Sequence, residues 1–156
     1  MSPEVITLVL LLARVCFSEE GFNHDACVTI THALIEQAED RRIPLRTQIC
    51  RYAPNSCDRH RMDDRRFISR LHPDRVYAPP GMSQRIWNEF RIRFAALMVT
   101  AYRAYIGELY PTCGNQERLP YHWGAQDCTS CFRRMRRSGF RRLHCPQLAN
   151  AWFWRP

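Results

Sequence analysis

Glu19 and Glu20 stand side by side at the end of a stretch that opens with the apolar run Val5 to Ala13 and continues through Arg14 and Phe17 to Ser18. If that stretch is helical, the pair lies at the negative end of its dipole, where acidic residues are disfavoured. Partial burial, the helix terminus and mutual repulsion all raise a glutamate pKa above its reference of about 4.3. A carboxyl that keeps its proton near neutrality is what a glycosidase uses as general acid. The inert alternative is two solvated glutamates at a helix end. Glu20 is the candidate second acid, since Asp63, Asp64, Glu108 and Asp127 fall in no catalytic spacing with Glu19. Further along, Pro120-Tyr121-His122-Trp123-Gly124 sets aromatic and polar-aromatic side chains in a row on a loop or short strand. Such clusters line sugar and base sites; the structural alternative has Trp123 filling the core and His122 bonded to backbone.

The chain has eight cysteines, at positions 16, 27, 50, 57, 113, 128, 131 and 145. Cys50 and Cys57 flank a short polar loop that a disulfide would close. Cys128 and Cys131 form a CxxC, and with His144 and Cys145 they offer the residue types of a structural zinc site. A second CxxC or an HxxxH is missing, so paired or free thiols are the expected state, and no metal or cofactor is called for.

These groups need elements to hold them. Ser2 suits an N-cap, Pro3 a first helical position and Glu4 the positive end of a dipole, and Ile6, Leu10, Ala13 and Phe17 follow at helical spacing. The same residues, with Ser18 after them, resemble a secretory signal. The flanks are reversed for one, because acidic Glu4 precedes the run and Arg14 follows it. Cleavage after Ser18 would also leave an odd number of cysteines. A membrane span needs about 18 apolar residues, and Arg14 interrupts this run early. The spacing therefore predicts a buried helix. A second helix is expected from Asn23 or His24 to Gln37, with Ala26, Ile30, Ala33, Leu34 and Gln37 on one side. From Ala38 to Pro80, five prolines break the pattern, which predicts a long irregular connection with one short helix at Asp63 to Leu71. Ser83 then opens a long helix, with Ile86, Phe90, Phe94, Leu97, Met98, Ala101, Tyr105 and Ile106 as its apolar set and Gly107 at its end. Its apolarity predicts the central post of the domain.

The 156 residues fit a single domain. With 46% hydrophobic and 24% charged residues, the chain has enough apolar material for a core, which excludes a disordered tail. All 23 basic residues are arginine, and the net charge is +8. Six of these arginines fall between 133 and 142, interleaved with Phe132, Met135, Phe140 and Leu143. The segment 131–145 is a basic amphipathic stretch, either a solvated face or a site for anionic wall polymer, membrane surface or nucleic acid. Trp152-Phe153-Trp154 is expected to pack back on the body.

LLARVCFSEEG followed by VTITHALIEQ resembles the opening of the spore-cortex-lytic cell-wall hydrolases. In that family an Ala-Arg helix runs through an aromatic and a small residue into the catalytic glutamate, positions held here by Ala13, Arg14, Phe17, Ser18 and Glu19. AYIGELYPTCG followed by PYHWG resembles the family's later glycine turn and cleft-bordering aromatic segment, on Pro111, Thr112, Tyr121 and His122. The resemblance implies a mainly α, lysozyme-like helical domain with little strand and an irregular second lobe. It implies Glu19 as catalytic acid, Thr112, Tyr121, His122 and Trp123 against the substrate, and a peptidoglycan glycan strand cut between N-acetylmuramic acid and N-acetylglucosamine. A lytic transglycosylase needs no second carboxylate, whereas a lysozyme needs water positioned by another acid or by Thr112. Anionic envelope polymers suit the charge. Small size and the reversed flanks fit a phage product, an endolysin reaching the wall through a holin or a virion component beside tail proteins.

Two other classes remain open. One is a secreted, disulfide-bonded helical protein. The other is an arginine-rich nucleic-acid module with zinc at Cys128, Cys131, His144 and Cys145; nucleic acid is not the expected partner, since wall binding accounts for the arginines equally well.

Overall fold

The structure is a computed structural model that describes residues 1–57, 76–115 and 117–156. It is mainly helical with one small sheet: α1 (Pro3–Glu20), α2 (His24–Arg41), α3 (Leu45–Tyr52), α4 (Pro54–Cys57), α5 (Gln84–Tyr105), β1 (Pro120–Gly124), α6 (Thr129–Arg137), β2 (Arg141–Leu143) and β3 (Ala151–Trp154). The helix expected at Asp63 to Leu71 lies outside the described residues, as do Asp63 and Asp64.

α1 begins as its sequence dictates: the Ser2 hydroxyl accepts the Val5 N–H at 3.3 Å, Pro3 opens the helix and Glu4 lies in the first turn. Gly21, at φ 62°, ends it with its N–H on the Phe17 carbonyl at 2.9 Å. That left-handed turn lets the chain leave α1 directly after Glu20. The buried face differs from the expected one. Ile6 is exposed, while every residue from Leu11 to Cys16 is buried. A helix buried all round for a turn and a half is enclosed rather than amphipathic, and α1 packs on α2, α3, α4 and α5.

The centre of the domain is therefore held by α1 and α2, which pack on each other and on α3 and α5, and not by α5 alone. α5 buries Trp87, Phe94, Leu97, Ala101 and Ala104 along one side, and leaves Ile86, Ile92, Val99 and Ile106 exposed. Its apolar residues exceed what a single packing face can cover. Its cap is the expected Ser83, whose hydroxyl accepts the Ile86 N–H at 3.3 Å.

α2 is capped by Asn23, which accepts the Ala26 N–H at 3.1 Å, and it runs one turn past the expected end at Gln37. The expected irregular connection after it instead carries α3 and α4. Pro44 and Pro54 stand at the starts of those helices, where a missing N–H costs nothing. Cys50–Cys57 joins the two.

The C-terminal third forms an antiparallel sheet of order β1-β3-β2. The Trp152-Phe153-Trp154 segment does pack back on the body, and it does so as the central strand. Trp123, Leu143, Leu148 and Trp152 join the same core as the helices. No helix among the described residues is long and apolar enough to cross a membrane.

Candidate active site

Glu19 sits in the last turn of α1 and reaches the indole of Trp123, 104 residues away in β1. The Trp123 Nε1–H donates to Glu19 Oε2 at 3.1 Å. The Tyr52 hydroxyl, at the end of α3, donates to Oε1 at 3.5 Å. Tyr52 and Trp123 are themselves in contact, with ring centroids 4.4 Å apart, and Trp123 stacks on Trp152 at 5.0 Å. The carboxyl is thus seated against a wall of aromatic rings. Burial pushes its pKa up, the two hydrogen bonds oppose that, and the neighbouring Glu20 adds a further push upward; the net direction is up. Burial and the adjacent Glu19 also drive the Tyr52 phenol well above its usual range, so it remains a donor.

Glu20 has a different task. Its Oε1 accepts the Asn150 N–H at 2.7 Å, and its Oε2 accepts the Ala149 N–H at 2.9 Å and Asn23 Nδ2–H at 3.4 Å. The Asn150 side chain returns a bond to the Glu19 carbonyl at 3.3 Å. Charge-assisted bonds to two successive backbone amides make Glu20 a latch between α1 and the loop that enters β3. Both oxygens of Glu20, the candidate second acid, are thus engaged by the loop and by Asn23.

The remaining expected residues divide. Trp123 joins Glu19. Across the register His122 pairs with Phe153 while Trp123 pairs with Trp152, so the two point to opposite faces of the sheet. His122 and Tyr121 gather on Phe140, with centroids 4.7 Å and 5.6 Å from it. Burial, helped by the Arg41 charge, pushes the His122 pKa down. Burial and a hydrogen bond to Asp40 push that of Tyr121 up. Thr112 is exposed and accepts Gln147 Nε2–H at 3.2 Å, and the Gln147 carbonyl accepts from Asn23, which also reaches Glu20. Thr112 therefore lies on the chain of bonds that leads to the latch.

The zinc alternative is corrected. Cys128 is bonded to Cys131 and Cys145 to Cys113, so Cys128, Cys131, His144 and Cys145 present no shared set of thiolates. Among the described residues no group of three or more His, Cys, Asp and Glu could hold a metal ion. Cys16–Cys27 completes the pairing and ties α1 to α2.

Sequence reasoning missed Tyr52, hidden in the region read as irregular, and the buried polar relay beneath it. Arg41 donates to Gln48 Oε1 at 2.8 Å, Gln48 to Gln37 Oε1 at 2.6 Å, and Gln37 to the Tyr121 carbonyl at 2.6 Å. This relay fixes α3, and with it Tyr52, against α2 and β1. Its only sequence signal was Gln37 on the apolar side of α2. Compared with known proteins, the chain matches no family model, no curated protein and no solved structure.

Proposed function

We propose that the protein cleaves the glycan strand of peptidoglycan at the bond between N-acetylmuramic acid and N-acetylglucosamine, with Glu19 as general acid. The observation that carries this reading is the half-buried Glu19 carboxyl, raised in pKa and held between the Trp123 and Tyr52 donors. A carboxyl of that kind delivers a proton to a glycosidic oxygen as the sugar gains oxocarbenium character. The two donors steady the carboxylate left behind.

Glu20, the carboxylate next door, is committed to backbone amides. That favours a lytic transglycosylase over a lysozyme. The proton passes from Glu19 to the leaving oxygen as the C1–O bond breaks. The muramic acid 6-hydroxyl then bonds to C1 and returns its proton to Glu19. No water is consumed, and one carboxyl serves as acid and then base.

Digestion of purified peptidoglycan, with released muropeptides identified by mass, tests the reading. Wild type is expected to release 1,6-anhydro products and Glu19→Gln none, a loss of at least about a hundredfold. Hydrated products would make it a lysozyme; no release from several wall types would overturn the glycosidase reading. The four disulfides favour a second reading in that event, a secreted disulfide-bonded helical protein.

A further inference from the structure

The register gives the small sheet two chemically different faces. Trp123, Trp152 and Leu143 align across the strands and belong to the main core. One residue out of phase, His122, Phe153 and Arg142 align on the outer face. α6 lies over that outer face through Phe132, whose ring meets Phe153 with centroids 5.5 Å apart. Arg142 holds its guanidinium 5.0 Å from the same Phe132 ring.

Arginine-lined recesses flank α6. One, of about 380 Å³, lies between the helix and the sheet, with Phe132, Phe140 and Phe153 below and Arg136, Arg141 and Arg142 around it. Another, of about 360 Å³, opens between Arg133, Arg134 and Arg137, with Ser130 and Ser138 at its ends. All six arginines are exposed, and among the described residues none of them pairs with a carboxylate. Arg142 donates to the neutral Gln126 amide at 2.6 Å.

Six like charges on so short a segment repel one another unless counter-charge arrives from outside. The large exposed apolar residues all lie elsewhere in the described chain. Its rings, Phe132 and Phe140 half-buried and Phe153 buried, lie among and beneath the arginines rather than standing out as an apolar ridge toward lipid or a base. What it offers is guanidinium forks, which match carboxylate and phosphate oxygens.

We propose that α6 and β2 form a second binding site, separate from Glu19, that holds closely spaced oxyanions of the bacterial cell wall. This rests on the wall-cleaving reading above. The oxyanions are carboxylates of the stem peptides or phosphates of wall-bound polymers, which guanidinium groups recognise in the same way. The site uses the outer face of the sheet, whereas Trp123 meets Glu19 from the opposite face, so the two sites share no residue.

The test is co-sedimentation with purified insoluble sacculi, using Glu19→Gln so that the wall stays intact. This parent is compared with versions carrying in addition Arg133→Gln, Arg134→Gln and Arg137→Gln, or Arg136→Gln, Arg141→Gln and Arg142→Gln. The parent is expected to bind at low salt and to be released as salt rises. Each triple substitution is expected to weaken binding about tenfold, with an unchanged circular dichroism spectrum. Stripping phosphate-linked polymers from the sacculi with hydrofluoric acid separates the sources: lost binding assigns phosphate and retained binding assigns stem-peptide carboxylate, and both support the site. Triple variants that bind like the parent would overturn it, as would tighter binding of the parent to duplex DNA or to phosphatidylglycerol vesicles than to sacculi. Muropeptide release by wild type is read separately. Release with binding unaffected by the substitutions defeats this site and leaves the glycosidase standing; salt-sensitive, arginine-dependent binding without release does the reverse.

Discussion

Adjacent glutamates at the end of α1 diverge because each meets a different kind of donor. Glu20 receives the backbone N–H groups of Ala149 and Asn150, so its carboxyl is held against the loop. Glu19 receives side-chain donors beside aromatic rings, so burial outweighs its hydrogen bonds and its pKa rises. The indole bond is the larger of the two effects that hold that rise in check. Trp123→Phe keeps a ring to stack on Trp152 and removes the N–H. The ionised form of Glu19 then loses a donor, and its pKa climbs further. On the proposed function Glu19 is the general acid and works while protonated, so muropeptide release would fall as pH rises through its pKa. The alkaline limb of muropeptide release is therefore expected at higher pH in Trp123→Phe than in wild type, with a lower plateau rate. A limb that stays in place, or moves to lower pH, would show that the indole does not act on Glu19.

Among the elements, α3 depends most on a single internal contact. Gln48 is 1% exposed and sits between Arg41 and Gln37, which is equally buried. Gln48→Met fills similar space but leaves the Gln37 carbonyl oxygen without its donor in the core. An unsatisfied buried group costs about 1 to 3 kcal/mol. Chemical denaturation should show that loss, and a similar penalty from Gln37→Met with less than additive loss in the double variant would place both residues in one network. None of this was legible from sequence, because a glutamine on an apolar face gives no hint of its partner. The helix starts were legible: Ser2, Asn23 and Ser83 act within three residues of themselves. α3 and α4 were not, because Pro44 and Pro54 break a pattern when read from before and start one when read from after. Nor was the one-sided packing of α5, since apolar content measures what a helix is able to bury and not how many neighbours surround it. At the site, Glu19 stood out by its position at a helix end. Its contact with Trp123 depends on how β1 docks on α2 and could not be read from spacing.

Across the whole molecule, four disulfides divide the labour unequally. Cys128–Cys131 closes a separation of 3 residues within the start of α6, and Cys50–Cys57 one of 7, so each removes less freedom from the unfolded chain than a longer closure does. Cys113–Cys145 spans 32 residues, and both its cysteines are buried in the common core. In chain-entropy terms a closure of that size contributes about 3 to 4 kcal/mol. Its position matters as much as its length. Cys113 follows Thr112, Cys145 leads into the loop of Gln147, Ala149 and Asn150, and that loop is what Glu20 holds. The bond therefore secures the far side of the latch that positions Glu19. Replacing Cys113 and Cys145 together by serine should lower the thermal midpoint by roughly 6 to 12 °C, as loss of about 3 kcal/mol does in a chain of this size. The same pair of replacements at Cys128 and Cys131 should lower it by much less. On the proposed function, muropeptide release should fall with the first pair even at temperatures where the variant remains folded, since the loop bearing Ala149 and Asn150 loses its tether. Equal melting losses for the two pairs, measured by circular dichroism in parallel, would mean that stability follows local packing around each bond rather than the length of chain it closes.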